Sequence, residues 1–342
     1  MFRFRFLQLV FPCASLLLFG IPETAAQNPP DQNNGDFAQA PLGKIPTGVI
    51  LVKGAEPSAS DQSTPLPEDG AASKNVYQNR YLGLTYPFPP DWTQALQGPP
   101  PSESGGYVLV QLTPAATFKG PRKGTVLISA QDMFFAHTHS SNALEMIRSS
   151  KEHLQPYYEV ERPPTEVTIA GHSFARFDYT SPVAQLHWYV LATQIRCHTV
   201  QFIFTSQDGT MLESLVEDMS RIKLPAEAGA TSGRGGGGSP VCVQDYAIAK
   251  NLEYRVDPVM EVRRFNAIPV RIIIDKNGRV RHVHVISAFP DQATKITDAL
   301  LQWRFKPYTQ NGQAVEVESG IMFGLRPGTG LPSQSISSTN QD

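Results

Sequence analysis

Charge of one sign is what this 342-residue chain has least of: 29 Lys and Arg stand against 31 Asp and Glu, for a formal net charge of -2. Without a basic surplus the chain lacks the electrostatic footprint that finds phosphate backbones, so no nucleic-acid partner is expected. Cysteine is scarce, with 3 residues, Cys13, Cys197 and Cys242. Any disulfide framework is therefore at most one bond. Apolar runs are short, and none reaches the roughly 20 residues that span a bilayer as a helix. Catalytic signatures are missing as well: there is no G-x-S-x-G, no phosphate loop and no H-E-x-x-H, so neither an enzyme nor a cofactor is expected. Trp92, Trp188 and Trp303 read as core anchors.

Proline and glycine are plentiful, at 29 and 26, and they cluster. The N-terminus comes first. Arg3 and Arg5 precede an apolar run from Phe6 to Ile21, and Thr24-Ala25-Ala26 supplies a small-x-small site. This is the anatomy of a secretory signal over residues 1–26, with cleavage after Ala26. An uncleaved inner-membrane anchor is the alternative, against which the short run and Pro12 count. Cys13 lies inside the run, and Val10-Phe11-Pro12 before it does not form a lipoprotein cleavage motif. Such a chain is expected to be periplasmic or secreted once cleaved. In such an oxidising compartment Cys197 and Cys242 can pair; two independent small residues are the other reading.

Residues 27–75 are rich in Pro, Gln, Asn, Ser, Gly and Asp and read as a disordered linker, with Gly48-Val49-Ile50-Leu51-Val52 as an isolated strand candidate. A second break, residues 225–240, holds Gly235-Gly236-Gly237-Gly238 and reads as a flexible tether. Residues 327–342 read as a frayed tail. Two globular segments remain, 76–224 and 241–326.

In the first segment, Val108, Val110 and Leu112 suggest one face of a strand, and Thr125–Ala130 another strand. Asn142 and Glu145 read as a capping box opening a helix whose stripe is Leu144, Ile147, Lys151 and Leu154, with Lys151 as its polar edge. Strands are expected over Glu166–Ile169, Ser173–Tyr179, His187–Thr193 and Thr199–Phe204, with Gly171-His172 as a turn. Thr210 and Glu213 suggest a second capping box, followed by Leu212, Leu215, Met219 and Ile222 at helical spacing. Strands flanked by helices imply an α+β domain. Tyr77-Gln78-Asn79-Arg80-Tyr81-Leu82-Gly83-Leu84-Thr85-Tyr86, closing in Pro89-Pro90-Asp91-Trp92, resembles the opening of PsbP-like domains. That resemblance implies an α/β/α sandwich with an accessory or binding role, and it brings no catalytic residues.

In the second segment Val270–Asp275 and Val280–Ile286 read as a hairpin around Lys276-Asn277-Gly278, where Gly278 needs positive φ. Pro290-Asp291 opens a helix carrying Ile296, Ala299, Leu300 and Trp303. Asn311-Gly312 is a tight turn. A last strand runs over Val315, Val317, Ser319, Ile321, Phe323 and Leu325. Asp275-Lys276-Asn277-Gly278-Arg279-Val280, Trp303-Arg304-Phe305-Lys306-Pro307-Tyr308 and Gly312-Gln313-Ala314-Val315-Glu316-Val317, in this order and spacing, resemble the TonB C-terminal domain family over residues 245–326. The family's Pro-x-Tyr-Pro element is absent or degenerate here, since Val259-Met260-Glu261 follows Pro258.

The resemblance implies a small two-layer domain, strand-strand-helix-strand, whose last strand pairs with a short peptide of an outer-membrane receptor. Val315, Val317, Ser319, Ile321, Phe323 and Leu325 are then the candidate edge, for an envelope-protein peptide or for a second copy of the chain. An internal strand is the competing reading. Energy transduction is the alternative function, but it needs a Ser and a His one turn apart in a membrane helix, and here Phe19 follows Ser15. A small-ligand or enzymatic role for the first segment is the third. Two His-x-His pairs complete the inventory. His137 and His139 lie in a loop. His282 and His284 share a strand face at a spacing that zinc accepts, but no Cys or carboxylate stands at a familiar offset, so a solvated face is expected and no metal.

Overall fold

The computed structural model of the chain describes residues 59–60, 66–97, 101–102, 104–119, 124–136, 140–225, 240–259 and 266–324. The expected secretory signal or anchor, the Gly48–Val52 strand, the glycine run, the pair His137 and His139, and the tail lie outside them. In chain order the elements are β1 (Ala59–Ser60), β2 (Ala71–Ser73), β3 (Val76–Asn79), β4 (Leu84–Pro87), β5 (Trp92–Gln97), β6 (Gly106–Pro114), β7 (Gly124–Asp132) and α1 (Ala143–Glu152). Next come β8 (Glu159–Ile169), β9 (His172–Ser181), β10 (Leu186–Ile195), β11 (His198–Ser206), α2 (Gly209–Asp218), β12 (Val241–Cys242) and β13 (Leu252–Tyr254). The chain continues with β14 (Ala267–Ile274), β15 (Val280–Val285), α3 (Pro290–Leu300), β16 (Arg304–Phe305), β17 (Thr309–Gln310), β18 (Gln313–Ala314) and β19 (Val317–Gly324). The architecture is α+β and mostly sheet.

The first half is built on an antiparallel seven-stranded sheet in the order β5-β6-β7-β11-β10-β9-β8. Strand alternation gives it two apolar faces. Ala175, Phe177, Val190, Ala192 and Ile203 point one way and meet Ala143 and Ile147 of α1. Val126, Ile128, Phe174, Leu191, Phe202 and Phe204 point the other way. They meet Leu212 and Leu215 of α2, with Tyr77, Leu84 and Tyr86 of the small β2-β3-β4 sheet beside it. The helix over α1 is the expected one: Asn142 Oδ1 accepts from the Glu145 N–H at 2.9 Å. Glu145, however, reaches back to Ser141 rather than to Asn142.

Local corrections follow from side-chain competition. The cap of α2 is Asp208, whose carboxylate accepts from Thr210 and Met211, so a better acceptor just upstream displaces the Thr210–Glu213 box. A register shift between Val108 and Val110 turns Val108 off the face that Val110 and Leu112 share. The β8–β9 turn is Ala170-Gly171, both at positive φ, which leaves His172 on the strand. Residues 67–73, read as linker from composition, form a 3-10 turn and β2.

The second half is a five-stranded sheet, β1-β15-β14-β19-β12. The β14–β15 turn has Gly278 at φ 78°, where a Cβ would lie 1.8 Å from the Phe305 carbonyl oxygen; only glycine fits. Val270, Ile272, Val283, Val285, Ile321 and Phe323 form one face and pack on Ile296, Leu300 and Trp303 at α3. The other face carries Ala267, Ile286 and Met322 into the core of the first half. Every residue of β19 is buried. All described residues belong to one compact unit, Gly35–Asp342.

Candidate functional site

The most unusual chemistry in the molecule lies where the two sheets meet, and one buried arginine organises it. Arg271 sits mid-β14 on the face turned to the first half and is 3% exposed. Its Nε lies 3.2 Å from Glu318 Oε1 on β19. NH1 donates to His198 Nε2 at 2.8 Å and NH2 to His284 Nδ1 at 2.7 Å. Asp132 Oδ2, at the end of β7, is 3.6 Å from NH1. The Tyr81 ring lies under the guanidinium at 4.7 Å, and its hydroxyl donates to Glu318 at 2.7 Å. Glu68 reaches His284 Nε2 at 3.3 Å.

A guanidinium can only donate. Both histidine nitrogens that face Arg271 must therefore be acceptors, so both rings are neutral: His198 carries its proton on Nδ1 and His284 on Nε2. Burial and the Arg271 charge push the His198 pKa well down, and burial lowers that of His284. Burial opposes the charge on Arg271, but Tyr81, Tyr107, Glu318 and Asp132 outweigh it and raise its pKa. Burial, against the pull of Arg271, lifts Asp132 to about 7.

A three-residue hairpin tip brings the first half to this cluster. Arg196, at φ 54° in the β10–β11 turn, donates to Glu318 Oε2 at 3.2 Å and stacks on Tyr81 at 4.1 Å. Cys197 is joined to Cys242 of β12 by a disulfide. His198 takes the Arg271 bond. Three consecutive residues thus make three different bonds to the second half. Of the two readings the sequence leaves open for Cys197 and Cys242, the structure has them joined.

The titrations have opposite signs. Asp132 has a folded pKa above its unfolded value, so it contributes stability at low pH that is lost as pH rises from about 4 through 7. His198 and His284 have depressed folded pKa values, so their contribution is present above about 6.5 and lost as pH falls. In the intact protein the two trends oppose each other. An Asp132→Asn variant is expected to lose stability more steeply than wild type between pH 7 and 5, in urea midpoints measured across that range. Parallel curves for the two proteins would show that Asp132 does not titrate there.

The residues expected at the site are placed as follows. Val317, Ser319, Ile321 and Phe323 lie on β19, which is not a free edge. Val241 and Cys242 of β12 pair with Val317 and Glu318 in parallel, Ser319 donates its hydroxyl to the Val243 carbonyl, and a Cβ on Gly320 would sit 2.5 Å from Phe134. Val315 precedes the strand and bonds to Tyr308, and Leu325 lies outside the described residues. At Val317 and Glu318 the free-edge expectation is therefore corrected: that stretch is taken by the chain's own β12, and the loop after β7 covers the face at Gly320. His284 is buried, so the solvated-face expectation for it is corrected too. Among the described residues no group of three or more His, Cys, Asp or Glu is arranged to hold a metal, and His284 faces a guanidinium. Arg271, Asp132 and His198 were missed because a single arginine in an apolar strand is the only trace the cluster leaves in the sequence.

No protein-family model and no curated protein matches the chain. In structure it is similar to cyanobacterial PsbP (CyanoP) from Synechocystis sp. PCC 6803, over 54% of this chain and 100% of that one, at 13% identity and a TM-score of 0.31. It is also similar to LpqN, involved in cell envelope biogenesis of Mycobacterium tuberculosis, over 49% of this chain and 92% of that one, at 12% identity and a TM-score of 0.26. At these scores neither likeness says what this chain binds.

Proposed function

We propose that the protein is an exported cell-envelope interaction protein whose TonB-like second half docks an extended peptide of an envelope partner by strand addition. The observation that carries this reading is how the five-stranded sheet ends. Both of its outermost strands, β1 and β12, are two-residue stubs. Each comes from a segment whose composition reads as linker, or from the border of one. A sheet edge presents backbone N–H and C=O groups that a strand can complete. The disulfide fits an oxidising compartment. Among the described residues no helix is long and apolar enough to cross a membrane.

The edge at β12 is pinned by the disulfide, so the edge at β15 is the one that can exchange. A photo-crosslinking amino acid at the exposed Arg281 on β15, in the full chain in intact cells, is expected to capture one discrete envelope protein. The same group at Val183, which is 90% exposed on the first half, should not capture it. Equal capture at both positions, or none at Arg281, overturns the reading.

A further inference from the structure

We infer that the β15 edge is a peptide site which the chain's own β1 already holds, so that an incoming partner strand has to take β1's place. The inference rests on the strand-addition reading above and names its edge, direction and occupant.

The register is explicit. β1 runs antiparallel to β15, with Ala59 opposite Val285 and Ser60 opposite His284. On the other side of β15, the Ile286 N–H bonds to the Pro269 carbonyl of β14. Backbone groups alternate in direction along a strand. His284 and Ile286 therefore direct theirs at β14, while Val283 and Val285 direct theirs outward, toward the side where β1 lies. Among the described residues that outer side is bridged at His284 and Val285 by β1 and at Arg279 by Arg304.

The surroundings select the occupant. Arg279 and Arg281 are exposed at the end of β15 that β1 does not reach, and Arg304 is bridged alongside. Arg281 leans across β14 to Glu316 at 2.6 Å, so Arg279 and Arg304 are the charges left beside the open edge. An extended segment carrying carboxylates fits this end by charge, and a basic one does not. β1 is two residues long and offers only those two to the ladder. Its advantage is that it is tethered, which sets a high local concentration. An occupied edge lowers the apparent affinity of any competitor by the fraction of time it is free. A partner strand that is longer and acidic can win, while shorter or basic strands in the envelope are excluded.

The test uses the full chain and a synthetic peptide of residues 55–63, which carries Glu56 and Asp61. In an Ala59→Pro/Ser60→Pro variant, β1 loses its backbone donors. The peptide is expected to bind this variant at least about fivefold more tightly than wild type. It should also slow amide exchange at Val283 and Val285, the two outward positions. A peptide with Glu56→Gln and Asp61→Asn should bind at least about threefold more weakly, and a variant with Arg279→Glu added should lose the charge preference. Equal affinity for wild type and variant overturns the exchange, as does binding that leaves exchange at Val283 and Val285 unchanged. Failure of the cell crosslink with success here would remove the envelope partner but keep the exchangeable edge. The reverse pair of results would keep the partner and remove this edge.

Discussion

An Arg271→Ala variant should lose about 3–5 kcal/mol of folding stability, the cost of stripping the partner from a buried ion pair. Glu318 is 1% exposed and would be left with Arg196 and the Tyr81 hydroxyl as its side-chain partners. The acceptor nitrogens of His198 and His284 would lose their donor inside the protein, and each unmet buried polar atom costs a further fraction of that range. Urea unfolding at constant slope measures the loss as a lower midpoint. Two companions separate charge from packing. Arg271→Met keeps much of the volume and removes the charge, and adding Glu318→Gln to it removes the orphaned carboxylate. The double variant is expected to be more stable than Arg271→Met alone, because a buried pair replaced on both sides costs far less than one broken on one side. A surface pair such as Arg221 with Asp218, 44% and 31% exposed, should change stability by no more than about 0.5 kcal/mol on the same treatment. If Arg271→Ala behaved like that surface pair, the cluster would not hold the halves together.

How far the sequence reveals this molecule differs between elements and junction. Periodicity marks α1 through Ile147, α2 through Leu212 and Leu215, and α3 through Ile296 and Leu300, because each helix has one buried stripe. The β14–β15 turn is legible in Asn277-Gly278, since positive φ leaves a compositional trace. Alternation misleads on β19. Glu318 and Gly320 stand where a half-exposed strand would have polar positions, but the first half covers that face, so a polar residue there marks an interface. The cluster itself is invisible in one dimension. Asp132, His198, Arg271 and Glu318 are far apart in sequence, and each alone reads as an ordinary strand residue. Composition also hides β1 and β12, because a two-residue ladder needs no hydrophobic pattern. The proposed strand-addition edge therefore lies on β15 and not on β19, where the resemblance implied it.

Removing the disulfide is the second large effect expected. Cys197 and Cys242 are 45 residues apart, and closing a loop of that length restricts the unfolded chain by about 4 kcal/mol in the loop-entropy account. A Cys197→Ser/Cys242→Ser variant should show that loss as a lower urea midpoint, and wild type under reducing conditions should match it. The bond also has a role in the folded state: it fixes the hairpin tip that carries Arg196 to Glu318 and His198 to Arg271. Loss of the bond and loss of Arg271 should therefore not add. With the tip loosened, part of the arginine's contribution is already gone. The combined variant should be more stable than the sum of single losses predicts, by on the order of 1 kcal/mol, the size seen for directly connected residues. Strict additivity would mean that the disulfide acts on the unfolded chain alone and that the tip is held by the Arg271 cluster without it.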